Sequence, residues 1–206
     1  MVKQLSIFES EKLLRKYKIP HPKSYLTKSE SEAISQAKKL GFPVVMKVHS
    51  ENIIHKTDKG GVKINLLNEK DVEEAYSKLK KLSKEILIQK QIQGTFIFVG
   101  MKRDPTFGPV IAFGIGGIFI EILKDVSFKI APVSKDEALD MIESIKSYSI
   151  LQGARGQEKI NIKNLIKIIL QASKLAMGEK DIKEFDFNPI IINSKEAKAV
   201  DARFLK

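Results

Sequence analysis

The sequence predicts an α+β protein built as two lobes. In the first half, strand-length apolar runs alternate with stretches of helical period. From Phe96 to Pro132 strand-like runs follow one another almost without a break, as in an antiparallel sheet, and helices and short strands close the chain. Gly94 interrupts a strand and marks a hinge, which divides the chain into lobes of 1–93 and 94–206.

The elements follow in order. Residues 5–18 form an amphipathic helix with Leu5, Phe8, Leu13, Leu14 and Tyr17 near one stripe, stopped by Pro20 and Pro22. His21 lies in the loop between those prolines. A short strand at 24–26 precedes a helix whose Ser29 and Glu32 have capping-box spacing and whose end is Gly41. Val44 to Val48 is a strand, and Val62 to Asn65 is a second, alternating one. Asn68 caps a helix over 69–83 with a core face of Val72, Ala75, Leu79 and Leu82. The run 86–92, ILIQKQI, is a strand that places Ile86, Ile88, Lys90 and Ile92 on one face. Four strands then follow in TFIFVGMKRD, GPVIAFGIGG, IFIEILKD and VSFKIAP, with turns at Asp104-Pro105 and Lys124-Asp125. Helices at 135–147 and 161–177 flank the glycine-punctuated loop LQGARGQ. Strands at 183–187, 190–192 and 197–202 end the chain.

Composition narrows the function classes. With 206 residues, 43% of them apolar, the chain can build a substantial core, and no apolar run approaches the ~20 residues that span a bilayer. The first residues, MVKQLSIFESEKLLRK, are charged throughout and lack a signal-peptide core, and there is no cysteine for disulfides or thiolate ligands. A cytoplasmic protein is expected. The net charge of +11 favours anionic partners such as nucleotides, phosphate or coenzyme A. Nucleic acid is a poor fit, because tryptophan is absent, tyrosines number four, and the lysines are spread over every helix.

Four stretches can carry chemistry. In PVVMKVHSENIIHKTDKGGVKIN, Lys47 sits near the end of a strand opposite the Gly60-Gly61 pair and Val62. Paired glycines let backbone amides approach an anion closely, and a lysine completes the concavity, as in a lid over phosphates. The same pattern also fits an ordinary hairpin whose lysine faces solvent. Gly114-Ile115-Gly116-Gly117 leads into a strand and lacks a third glycine, so it is no dinucleotide fingerprint. In EFDFNP, alternation puts Glu184, Asp186 and Asn188 on one face, and Asp201 follows in VDARF. Two carboxylates and an amide suit Mg²⁺, which takes few protein oxygens and leaves room for water and phosphate. The alternative is an edge strand with a solvated polar face. His55, among Lys56, Asp58 and Lys59, is either a surface residue or a nucleophile toward phosphoryl groups.

Taken together and in order, VVMKVHSENIIHKTDKGGVKIN, MKRDPTFGPVIAFGIGGIFIEILKDVSFKIAPV, LQGARGQ and EFDFNPIII with AVDAR resemble the β subunit of ADP-forming acetyl-CoA synthetase of the archaeal type. That family is related to succinyl-CoA synthetase. The resemblance implies an ATP-grasp fold, two α+β lobes clasping a nucleotide. It also implies a ligase reaction: acyl-CoA, ADP and phosphate give acid, CoA and ATP. An acyl phosphate forms first, a histidine of an α subunit takes the phosphoryl group, and the β subunit passes it to ADP. By position, Lys47 is implied to hold phosphates, and Gly60, Gly61 and Val62 to form the lid. Backbone groups of Gln89, Lys90, Gln91 and Ile92 are implied to meet adenine. Asp186, Asn188 and Asp201 are implied to bind Mg²⁺, His55 to be a second phosphoryl carrier, and Glu121 to act with the Gly116-Gly117 turn. The implied partner is an α subunit with the CoA-binding and phosphohistidine domains, in a heterotetramer; neither nucleic acid nor membrane is implied. Two places depart from the family pattern: Phe96 stands where members typically carry a glutamate, and Ile88-Gln89-Lys90 replaces the usual hinge sequence.

Overall fold

A computed structural model describes residues 3–49, 60–116, 125–153 and 159–206. They divide into two compact units, Pro22–Ile92 and a larger one formed by Met1–His21 with Gln93–Lys206. The expected lobe of 1–93 is thus corrected at its start, because the first helix belongs with the larger unit. The reason is the stripe read from the sequence: Leu5 and Leu14 join the larger core with Leu13 and Tyr17 packed against it, as does Ile19 beyond the helix, whereas Phe8 of that stripe is exposed. The backbone N–H of Ala199 also donates to the carbonyl of Pro20 at 2.8 Å.

The smaller unit contains β1 (Ser24–Thr27), α2 (Glu30–Leu40), β2 (Val44–His49), β3 (Val62–Leu66), α3 (Glu69–Leu79) and β4 (Glu85–Lys90); α1 (Ile7–Lys16) precedes them. Its antiparallel sheet has the order β1-β4-β2-β3. Ser29 caps α2 by accepting from the Glu32 N–H, but the Glu32 carboxylate accepts from the Lys28 N–H, so the expected box is only half formed. Asn68 caps α3 as expected, and that helix stops at Leu79 instead of 83. Val44, Met46, Val48, Ile86 and Ile88 pack with Val72, Ala75 and Leu79 in one core. The two helices cover one face of this sheet, and alternation sends Val45 and Lys47 to the other.

The larger unit contains β5 (Thr95–Asp104), β6 (Gly108–Ile115), β7 (Val126–Ile130), α4 (Lys135–Glu143), α5 (Tyr148–Leu151), α6 (Ile162–Gly178), β8 (Glu184–Ile192), β9 (Ala197–Ala199) and β10 (Arg203–Leu205). Its sheet runs β10-β8-β5-β6-β7, with β9 also paired to β8, and every pairing is antiparallel. Helix α6 is the apolar spine, with Leu165, Ile169, Ala172 and Ala176 fully buried against this sheet. Strands expected separately at 183–187 and 190–192 are one, β8. Pro189 lies in it at a register shift, where Phe187 pairs Val99 but Ile190 pairs Ile97. A proline has no N–H to give the ladder, so a bulge accommodates it inside a central strand. The last expected strand, 197–202, is a strand only over β9; residues 200–202 bend, and β10 begins beyond them at Arg203. The strand expected at IFIEILKD lies almost entirely outside the described residues.

Candidate functional site

In the smaller unit, β2 carries Lys47 as the one charged residue in a strand buried from Val44 to Val48. Lys47 pairs with Val62 of β3 on one side and Leu87 of β4 on the other. The Val48 N–H donates to the Gly61 carbonyl at 2.8 Å, which ties the glycine pair to the same ladder. Gly60 has φ +67°, the left-handed region, and among the described residues nothing lies within 4 Å of where a Cβ would stand. The left-handed backbone favours glycine here. Lys47, Gly60, Gly61 and Val62 therefore come together.

The end of β4 is organised by its side chains. The Lys90 ammonium donates to the carbonyls of Gly41 and Phe42 at 2.7 and 2.8 Å, so it closes the loop after α2. Gln91 makes a reciprocal pair with Asn65, accepting from its N–H at 2.7 Å and donating to its Oδ1 at 2.6 Å. Asn65 has φ +57° at the bulge where β3 shifts register against β2. Gln89 is buried. The side chains of Lys90 and Gln91 are thus committed within the unit, and a ligand at this strand end would meet main chain.

In the larger unit, β8 alternates as expected. Phe185 and Phe187 are buried and stack at 4.8 Å with Phe204 tilted against both, whereas Glu184, Asp186 and Asn188 are half-buried on the opposite face. Asp201 lies in the turn between β9 and β10. Its charge raises the Asp186 pKa, so the two carboxyls share one electrostatic neighbourhood. Burial contributes most, Asp201 next, and the group is pushed up to about 6. A cause of the burial is visible in β5. Gly100 pairs with Asp186 across the ladder, and the Phe98 ring occupies the space where a Gly100 side chain would stand, 2.7 Å from its Cβ position. Asp186 Oδ1 is buried without a hydrogen-bond partner among the described residues.

A buried carboxylate oxygen with no donor, repelled by a second carboxylate, is what a divalent cation would satisfy. No group of three or more His, Cys, Asp or Glu side chains able to hold a metal is found among the described residues. Two carboxylates with the Asn188 amide fall short of such a group by themselves, and phosphate and water oxygens would complete the shell. The donor set fits Mg²⁺. Phe96 is 47% exposed on the same face as Phe98 and Gly100, so a polar residue could be accommodated at that position as well. His55, Gly117 and Glu121 lie outside the described residues. Sequence reading missed Gly100, Phe98, Arg203 and Gln4. The signal available for Arg203 was its place two residues after Asp201, on a strand beside β8.

The ATP-grasp domain model matches residues 2–205 of this chain. The chain is 44% identical over 207 residues to the β subunit of ADP-forming acetate–CoA ligase I from Pyrococcus furiosus, covering 96% of this chain and 89% of that protein. It is 45% identical over 197 residues to the ADP-forming 4-hydroxybutyrate–CoA ligase of Nitrosopumilus maritimus, covering 91% of this chain and 28% of that longer one. Among solved structures, acetyl-coenzyme A synthetase 1 of Ca. Korarchaeum cryptofilum, in complex with coenzyme A, Ca-AMPCP and HgCl+, superposes with a TM-score of 0.93 at 38% identity, covering 98% of this chain and 93% of that one. Another structure of that enzyme holds coenzyme A and Mg-AMPPCP, with a phosphohistidine segment pointing towards the nucleotide binding site; its TM-score is 0.87 at 37% identity, over 98% of this chain and 92% of that one.

Proposed function

We infer the function of this chain from its descent: it belongs to the ATP-grasp family and, within it, to the β subunits of ADP-forming acetate–CoA ligases. We propose that it is the nucleotide-binding β subunit of an ADP-forming acyl-CoA ligase. The reaction converts acyl-CoA, ADP and phosphate into carboxylic acid, CoA and ATP. This chain's share is the last transfer, in which a phosphoryl group leaves a histidine nitrogen and bonds to the β-phosphate oxygen of ADP. The observation that carries the reading is Asp186, with its buried, unpartnered oxygen beside Asp201 on the face shared with Asn188.

The residues divide the work. Lys47 holds nucleotide phosphates, and its burial in a strand fixes the ammonium against the drift of a surface lysine. Gly60, Gly61 and Val62 present amides to phosphate oxygens. Main-chain groups of Gln89 to Ile92 meet the base, which agrees with side chains of Lys90 and Gln91 bonded elsewhere. Asp186, Asn188 and Asp201 hold Mg²⁺, which when bound offsets charge on the transferring phosphoryl group. His55 accepts and hands on the phosphoryl group, and Glu121 acts with the Gly116-Gly117 turn. The partner is an α subunit that binds CoA and carries the first phosphohistidine, in a heterotetramer. No helix among the described residues is long and apolar enough to cross a membrane; we place the assembly in the cytoplasm.

The test is to co-purify the chain with an α subunit and assay ATP formation from acetyl-CoA, ADP and phosphate. Turnover should require both chains, and His55→Asn should abolish it while Mg-ADP still binds. Amine ligation by the isolated chain would replace this reading with a stand-alone ATP-grasp ligase. Phe96 favours a second reading, a nucleotide-binding regulatory subunit, and Mg-ADP binding without turnover in the assembled complex would support that one.

A further inference from the structure

Arg203 and Asp186 occupy one rung of the β10–β8 ladder, so their side chains leave the same face of neighbouring strands. A guanidinium and a carboxylate so placed ordinarily close into a short pair. Here no ion pair within 4.0 Å joins them. The guanidinium is held elsewhere, since Arg203 Nε donates to Gln4 Oε1 at 3.0 Å. Gln4 is fixed in turn, because residues 3–5 are stitched to the end of the chain. Lys3 N–H donates to the Lys206 carbonyl at 2.9 Å, Leu5 N–H to the Phe204 carbonyl at 3.0 Å, and Lys206 N–H to the Lys3 carbonyl at 2.8 Å. Among the described residues the terminal nitrogens of Arg203 have no hydrogen-bond partner, and neither has Asp186 Oδ1. A tethered cation and a carboxylate on one sheet face, more than 4.0 Å apart yet near enough for the guanidinium to act on the carboxyl, leave a place for a ligand bearing both charges. A metal-bound phosphate is such a ligand.

We propose that Arg203, oriented by Gln4, donates its terminal N–H groups to a phosphate oxygen of the nucleotide whose magnesium is held at Asp186, and so recognises the diphosphate. The inference rests on the nucleotide reading above. The planar fork explains why arginine serves here: one N–H anchors it to Gln4 while two nitrogens remain for phosphate, a division a lysine cannot make. The chain's first residues thereby become part of phosphate recognition, although they lie far from Asp186 in sequence.

Calorimetry on the full chain tests this, with Mg-ADP and adenosine as probes and thermal melts as the control for folding. Arg203→Ala should weaken Mg-ADP by about 10- to 100-fold, in the range of a lost charge-assisted bond, and leave adenosine unchanged. Gln4→Ala, which keeps the guanidinium but frees it, should cost about threefold to tenfold, and Arg203→Lys should recover only part of the loss. Mg-ADP affinity within twofold of the unaltered chain in both Arg203→Ala and Gln4→Ala overturns the proposal alone. An equal loss for adenosine also overturns it, since that marks a structural role. Should Arg203→Ala fail to fold, full affinity in Gln4→Ala and Arg203→Lys decides against it. If the unaltered chain binds no Mg-ADP, the nucleotide reading falls and this inference with it.

Discussion

Strands β2 and β8 each carry a charge proposed above for nucleotide or metal binding, and they hold it in opposite ways. In β2, Lys47 lies within an unbroken buried run. In β8, Asp186 and Asn188 alternate with two buried phenylalanines, and the polar face stays half-buried. An ammonium on a long apolar stem can be buried by its stem and still offer its tip to a ligand. A carboxylate has no such stem, so burying it costs ionisation, which is why the Asp186 pKa rises to about 6. The lesson is that a packed strand can bury a lysine by its stem, whereas burying a carboxyl shifts its ionisation.

The largest effect should come from Lys47. Replacing it with Met keeps the strand's volume and removes the ammonium; Mg-ADP affinity should fall at least about 100-fold by calorimetry. Thermal melts of the variant serve as the control for folding. Mg-ADP affinity within about threefold of the parent would break the contrast, by showing that the buried ammonium does not meet the ligand.

Asp186→Asn should weaken Mg²⁺ binding by about tenfold to 100-fold, read by metal titration. Its effect on stability has a definite sign. A carboxyl whose folded pKa lies near 6, above its ordinary 3.8, binds its proton more tightly in the folded state. Stability from this group is full below about pH 4 and is lost as pH rises through 6. Without metal, the variant should therefore match the parent near pH 4 and exceed it at pH 7 by roughly 1–3 kcal/mol, less any relaxation at the site. Taking the difference cancels carboxyls shifted the other way, such as Glu137, lowered by the Ser134 backbone and hydroxyl. Adding Mg²⁺ should raise the melting temperature of the parent and not that of the variant.

Smaller still are the caps, which ask whether the two units share one stability. Ser134→Ala removes a reciprocal capping box from the larger unit, and Asn68→Ala removes a one-way cap from the smaller. Each should cost about 1 kcal/mol, the box somewhat more. Denaturant melts with a single transition in both variants would show cooperative units; separate transitions would show that the units melt independently.

Much of the fold was legible because local rules decided it. Ser29, Asn68 and Gly41 punctuate helices through groups a few residues away, and alternation in EFDFNP assigned its two faces before any partner strand was known. The likeness over four ordered stretches supplied the family, and with it the residues proposed for the site. Pro189 hid the continuity of β8, because a proline reads as a break unless the bulge opposite β5 is seen. The first helix was assigned to the lobe next to it in sequence, whereas Leu5, Leu14 and Ile19 found their core across the chain.

The sequence by itself determined where strands and helices lie, which face of each is apolar, and which residue types can meet phosphate and magnesium. Those properties follow from periods of 2 and 3.6 residues and from side-chain chemistry, all of them short-range. Only the tertiary structure decided that the Phe98 ring fills the space over Gly100, the cross-strand partner of Asp186, that Gln91 pins Asn65, and that Gln4 tethers Arg203. Those contacts join residues up to 199 positions apart. Burial and charge at such places depend on which strands become neighbours, and pairing is set by the whole core.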